Sequence, residues 1–338
     1  MITSQTQTTW RVWTGTNDEW HHVATSLDNF NLYQSAEWSV HKGNSGWQSC
    51  RLVASDPQSK IQCAAQCLYR RGPLNSVVTW IPGGPIGKLD FLDNSFISAL
   101  KNHLQSKLIY IRSSIMSASS ERTANQLSNN GWFRAHTTIG ALASLMYELG
   151  GDEQERLDRC SSNWRRNLKR SSRNAQPAYL WDSPSAQEIS NAYSNMDEFK
   201  KVKGVTLSRS VEEIQSVIDV FGDKLLCVRI DDVDGNPLAI RAAICINDEA
   251  WDFIAITTPA GRKTYASHAV FWLMANTCAQ RAMKQIDLSG IDIKNNRGVY
   301  DFKKGTGARQ IDFQGEWEIS LPKLLRPFAS RLIAQRVK

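Results

Sequence analysis

Residues 224–291 set out an order of elements that few folds can satisfy. Residues 224–231 read as a strand, Asp232-Val233-Asp234-Gly235-Asn236 as a turn with Asp-Gly chemistry, residues 237–247 as a second strand and 250–257 as a third. Pro259-Ala260-Gly261 breaks the pattern. Residues 265–284 then carry apolar side chains at helical spacing, through Ala266, Ala269, Val270, Leu273 and Met274, and a strand opens at Ile286. Strands joined by tight turns run antiparallel, whereas a strand reached through a helix can return parallel to its neighbour. The first half repeats this order: strands at 49–54, 61–70 and 77–81, a break at 82–87, a helix over 94–108 and a strand at 109–115. The repeat is one of topology, without visible sequence identity, and it predicts an α+β chain of two similar domains. The acidic, Ser-containing stretch 150–161 is the expected boundary.

A chain of 338 residues has the length for two such domains. Its 41% apolar and 22% charged content describes a soluble globular protein. No run approaches 18 apolar residues, so no transmembrane helix is expected. The first ten residues have neither a basic n-region nor an apolar h-region, and a signal peptide is not expected either. Seven cysteines are scattered, and only Cys63 and Cys67 lie close, with no second pair to complete a zinc site. They read as buried thiols of a reducing cytoplasm, and no metal site is expected.

Lys and Arg number 40 against 33 Asp and Glu, a net charge of +7 that favours polyanionic partners. The surplus is concentrated: residues 164–173 hold Arg165, Arg166, Lys169, Arg170 and Arg173 and no acid. Such a run suits an RNA backbone or a nucleotide diphosphate, although a solvated helix face carries the same pattern.

Residues 286–319 hold the densest chemistry. A short buried strand leads to a loop with Asp287, Asp292 and Asn295. A basic turn or short helix follows over 298–307, and a final strand over 312–319. The run Phe302-Lys303-Lys304-Gly305-Thr306-Gly307 places ammonium groups beside backbone that two glycines would leave uncovered. That combination suits anionic oxygen, whether a phosphate or a developing oxyanion.

These residues, Asp-x-x-Gly-Ile-Asp, then Asn, then Gly-x-x-x-Phe-Lys-x-Gly-x-Gly, then Gly-Glu-Trp, resemble the C-terminal part of the Fem family of non-ribosomal peptidyltransferases. The resemblance spreads along most of the chain. Gln34-Ser35-Ala36-Glu37-Trp38 with Lys42 is similar to the family's N-terminal lysine segment, and Trp80-Ile81-Pro82-Gly83-Gly84-Pro85 to its Ile-Pro-Arg-Gly-Pro turn. Residues 163–174 are similar to its basic helix, and Gly261-Arg262 with Ala266-Ser267 to the start of a long helix. The resemblance implies two tandem GNAT-like acyltransferase domains, each a mostly antiparallel sheet flanked by helices, without a coiled-coil arm. Residues 1–150 plus 315–338 would bind the acceptor, and residues 151–314 would take aminoacyl-tRNA and carry the catalytic lysine loop. The chain departs from the family pattern at Gly83, where the family writes Arg, and at Trp251, Phe253 and Ile254, where it has an aromatic hydroxyl.

Amide formation from an amine and an activated ester needs a neutral amine, held geometry and a stabilised oxyanion. No nucleophilic side chain is required, and no Gly-x-Ser-x-Gly or Cys-His arrangement offers one. His268 falls within the apolar helix and reads as a core residue. The resemblance makes Lys303 the catalytic residue, with Lys304 as its understudy. Lys42, Trp38 and Lys304 would grip the acceptor's diphosphate, and Arg165, Arg166, Lys169, Arg170 and Arg173 the tRNA. The implied reaction moves an amino acid from aminoacyl-tRNA, as co-substrate, to an amine of a UDP-sugar-linked or lipid-linked peptidoglycan precursor or a related acceptor, with no cofactor. A monomer in the cytoplasm, working as far as the inner face of the membrane, is expected. The alternative is a GNAT-type N-acyltransferase using acyl-CoA on an amino sugar or other amine. Its pyrophosphate cradle needs a glycine-rich run before the long helix. Residues 261–266 offer cations and one glycine.

Overall fold

The computed structural model describes residues 9–174, 176–201 and 209–337; part of the N-terminal stretch on which the absence of a leader was read lies outside the described residues. The chain divides into two units, Met1–Leu142 with Asp312–Lys338, and Ala143–Ile311. The break falls before the acidic stretch 150–161, because the strand at Ala143–Glu148 pairs inside unit two.

Unit one opens with β1 (Thr9–Val12), α1 (Asn17–Thr25) and α2 (Ala36–Gly43). The meander β2 (Gln48–Ser55), β3 (Ile61–Arg71) and β4 (Ser76–Gly83) follows, with a short β5 (Ile86–Gly87) against β3. The crossover helix α3 (Asn94–Leu104) leads to β6 (Leu108–Ala118), which lies parallel to β4. The helix ends four residues short of the predicted Leu108, where Gln105 turns left-handed at φ 50° and stops it. α4 (Glu121–Asn129) and β7 (Phe133–Arg134) complete this stretch. Strand alternation decides the two faces: Leu52 and Ala54 enter the cluster of Trp10, Phe96, Ile109 and Trp132, while Val53 enters that of Trp20, Ala36 and Ile86.

Unit two contains β8 (Ala143–Glu148), α5 (Glu153–Arg159), α6 (Ser162–Asn174), β9 (Tyr179–Leu180), α7 (Ala186–Lys201) and α8 (Val211–Phe221). Its meander is β10 (Leu225–Asp231), β11 (Pro237–Ile246) and β12 (Glu249–Thr257). A short α9 (Pro259–Lys263), the long α10 (Ala266–Gln280), β13 (Gln285–Gly290) and α11 (Arg297–Gly305) follow. β13 lies parallel to β12 on one side and antiparallel to β8 on the other. Leu226, Val228 and Ile230 pack beneath α10 with Phe271 and Met274, and Cys227 faces the opposite cluster of Ile189, Tyr193 and Ile214. The meander, crossover helix and parallel strand thus occur in both units.

β14 (Arg309–Leu321) returns the chain to unit one, where Phe313–Leu321 pair with β6, and α12 (Leu325–Val337) closes it. All seven cysteines are buried and unbridged. Among the described residues no helix is long and apolar enough to cross a membrane.

Candidate active site

The two parallel strand pairs differ. In unit one β4 and β6 stay paired from Ser76–Leu108 to Gly83–Ile115. In unit two β12 and β13 pair only at Glu249–Gln285, Ala250–Ile286 and Trp251–Asp287, and then part. Where they part, β12 carries an irregularity opposite Ala242/Ala243, and β13 one between Asp287 and Gly290. Ser289 adopts φ 64°, a left-handed conformation that a non-glycine residue holds only when its surroundings fix it. Three bonds fix it here: its amide donates to Asp287 Oδ1 at 2.7 Å, its hydroxyl to the Asp252 carbonyl at 2.6 Å, and its own carbonyl accepts from Ser144 Oγ at 2.9 Å.

The turned carbonyls hold Lys303. Its Nζ donates to Gly290 O at 2.8 Å and Ser289 O at 3.2 Å, and the side chain is buried. An ammonium has three donors, so one remains for a ligand. Burial lowers the lysine's pKa below its ordinary 10.5, with Arg241 acting in the same sense; Asp252 and Asp287 oppose. Asp287 is buried too, and desolvation raises its pKa against the pull of Ser144, the Ser289 amide and Lys303. Arg241 and Asp252 form a buried two-pronged ion pair, Nε to Oδ1 at 3.0 Å and the second nitrogen to Oδ2. The guanidinium also lies over Phe271 and Phe302, at 4.9 and 5.2 Å from the ring centres. Each buried charge therefore has its partners, as burial demands.

Lys303 opens onto a cleft of about 660 Å³ lined by β12 beyond the parting point, the start of α10 and residues 294–303. Arg241, Arg262, Lys294, Arg297 and Lys303 line it, and among the described residues no Asp or Glu does. His268 lines it as well, packed among Trp164, Phe302 and Tyr265 at centroid distances of 5.1, 5.0 and 6.0 Å. Desolvation pushes its pKa down to about 4, so it is a neutral, apolar-faced wall at physiological pH. It is a core residue, as read, with one edge on the cleft.

The uncovered backbone expected at Gly305 and Gly307 is not there. A Cβ on Gly305 would stand 3.0 Å from Trp164, and one on Gly307, at φ 86°, 2.5 Å from the Arg159 carbonyl. These glycines let α11 close on α5 and α6, and the carbonyl of Gly305 accepts from Ser161 N. The loop presents Lys303 rather than bare amides. Lys304 is exposed, stands over Tyr300 at 5.5 Å and does not line the cleft.

On α6, Trp164, Leu168 and Ser171 turn inward. Arg166, Lys169, Arg170 and Arg173 are exposed, and their spacing places them on one helix face. Arg165 is turned aside into an ion pair with Asp158 at 3.0 Å. Arg170 reaches the rim of the cleft, donating to the Tyr265 hydroxyl at 3.1 Å.

In unit one, Lys42 Nζ lies over the Trp38 ring at 5.0 Å, on the same face of α2. Trp38 is itself buried, edge-on to Tyr33 at 4.8 Å, and backs the lysine from beneath. Gly83 departs from the family pattern for a packing reason. It has φ 68°, and a Cβ would fall 2.0 Å from Asn31 Oδ1. The Asn31 amide instead donates to the Gly83 carbonyl at 2.7 Å.

Arg241, Asp252 and Ser289 were not singled out from sequence. Arg241 and Asp252 did leave a signal: Arg241 is the lone charge of β11, and Asp252 sits among apolar residues in the interior of β12. Ser289 left none.

The FemAB family model matches residues 183–332, and over that part of the chain the resemblance read from sequence holds. No curated protein sequence matches the chain. Among solved structures the chain is similar to FemX, with a TM-score of 0.78 at 13% identity over 95% of this chain and 100% of that one. It is also similar to a tandem GNAT protein from the clavulanic acid biosynthesis pathway, with a TM-score of 0.56 at 8% identity over 93% and 99%. A third is L-PGS from Bacillus licheniformis, with a TM-score of 0.51 at 11% identity over 95% and 97%. At these identities the likeness is one of fold, and the fold is two tandem GNAT-like units.

Proposed function

We propose that this chain, whose residues 183–332 match the FemAB family and whose halves share the tandem GNAT fold, moves an amino acid from aminoacyl-tRNA to an amine of a peptidoglycan precursor or a related envelope or secondary-metabolite acceptor. The observation that carries the reading is a buried ammonium with one donor to spare, at the head of a cleft between parted strands that five cations line and, among the described residues, no carboxylate. The acceptor nitrogen attacks the ester carbonyl, and a C–N bond forms. The carbonyl oxygen takes up negative charge beside Lys303. The C–O bond to the ribose then breaks, and the leaving hydroxyl gains a proton while the nitrogen loses one. A fixed ammonium helps because it meets more charge in the transition state than in the ground state. The exposed cationic face of α6, reaching the rim through Arg170, suits the tRNA backbone. Lys42 over Trp38 suits the acceptor's diphosphate.

The acyl-CoA reading needs free amides before α10. The Gly261 and Arg262 amides are spent on Thr258 Oγ1 and O, at 3.1 and 3.0 Å. A Cβ on Gly261 would stand 2.0 Å from Leu238 O, so that glycine serves packing. Incubating the protein with charged tRNAs, or with acyl-CoAs, and a panel of amine acceptors separates the two. Mass spectrometry should find an aminoacylated acceptor only with charged tRNA; product from acyl-CoA alone would reject the proposal.

A further inference from the structure

The outer face of α12 is apolar where a helix on a protein surface is ordinarily polar. Leu324, in the turn just before the helix, and Phe328 and Leu332 on it recur every fourth position and are 79%, 67% and 63% exposed. The helix is held from its other side: Arg326 bonds Glu318 at 3.1 Å and lies over Phe133 at 4.1 Å, and Ser330 donates to Glu318 at 2.6 Å. Those contacts fix which face is left outward. From Ile319 to the last residue the sequence holds Lys323, Arg326, Arg331, Arg336 and Lys338 and no Asp or Glu. Lys323 and Arg331 are exposed, and neither forms an ion pair among the described residues.

We propose that this face of α12 docks on an anionic lipid bilayer, lying in the interface with Leu324, Phe328 and Leu332 in the acyl region and Lys323 and Arg331 at the headgroups. A row of apolar side chains flanked by cations without acids matches both parts of such a surface. An RNA partner would use the cations but leave the leucines and phenylalanine in water. This docking is separate from acyl transfer and stands or falls without it.

The test is sedimentation of the full-length protein with vesicles of phosphatidylcholine alone or mixed with phosphatidylglycerol. Binding should appear only with the anionic lipid and weaken as salt rises. Phe328→Ser with Leu332→Ser should weaken it at least tenfold, and Arg331→Glu severalfold, with the melting temperature unchanged because these side chains already face water. Absence of sedimentation with anionic vesicles would overturn the proposal, as would equal binding by the double-serine variant. A wild-type dimer that the double-serine variant dissolves, or binding to RNA that displaces vesicles, would assign the face to those partners instead and overturn it equally.

Discussion

Replacing Lys303 by Met separates a catalytic lysine from a structural one, because the structure bounds what the folded state can lose. Asp252 keeps Arg241, Asp287 keeps the Ser289 amide, and the one Ser144 hydroxyl proton still serves Asp287 or Ser289 O. Gly290 O and Ser289 O both lose the ammonium as a donor, a cost of about 1–3 kcal/mol for each acceptor left unsatisfied. Removing a buried ammonium whose pKa is already lowered offsets part of that. A domain with about 5–15 kcal/mol of stability stays folded through such a loss. An oxyanion donor, in contrast, contributes about 2.7–4 kcal/mol to the transition state, so turnover should fall by about two to three orders of magnitude. Urea unfolding gives the first quantity. Single-turnover transfer of a labelled amino acid from tRNA, at saturating acceptor, gives the second. The reasoning fails if Lys303→Met turns over within a few-fold of wild type, or if only the acceptor's apparent affinity changes.

The pH dependence has a definite sign. In the proposed role Lys303 acts while protonated and its pKa lies below 10.5, so the transfer rate should decline on the alkaline side before that pH, and the acid side should rise as the acceptor amine loses its proton; in Lys303→Arg the alkaline decline should vanish. Arg241→Met leaves Asp252 buried without its partner and should cost about 3–5 kcal/mol in chemical denaturation, whereas Arg241→Met with Asp252→Leu should recover most of it; a double variant as unstable as the single would refute the pairing. Charge reversal at Arg166, Lys169, Arg170 and Arg173 should weaken tRNA binding and flatten its salt dependence by about 0.7–0.9 for each phosphate no longer neutralised, and an unchanged slope would return this face to the role of solvated surface. Lys42→Ala should raise the acceptor's KM more than it lowers kcat, and a fall in kcat alone would count against a diphosphate grip.

What could be read from sequence was local. Asp-Gly chemistry at Asp234-Gly235 and the short apolar runs of β10 to β12 are properties of a few neighbouring residues, and they located the meander within a residue or two. The cation spacing on α6 was equally visible, but not that Asp158 would draw Arg165 off the exposed face. The site itself depends on contacts distant in sequence. Lys303 takes its direction from the left-handed Ser289, and Ser289 is held by Asp252 and Ser144 on two other strands. Arg241 meets Asp252 only in the β11–β12 register. The glycines at 305 and 307 looked like open backbone because the walls they touch, Trp164 and Arg159, lie about 140 residues earlier. That β6 takes β14 as its neighbour left no local trace at all.

That last pairing bears on how the protein is made. Unit one is mostly N-terminal, yet β6 gains its outer neighbour only from residues 313–321. The same strand supplies Glu316 and Glu318, which neutralise Arg112 and bond Tyr110 in its interior. As the chain leaves the ribosome, domains ordinarily finish in order of synthesis. Here the first waits for the last: until residue 321 emerges, β6 is a bare strand edge with a buried arginine unmatched, the kind of surface that invites aggregation. Unit two has its own β8–β13 pairing complete by Gly290, so the later-made half is finished earlier.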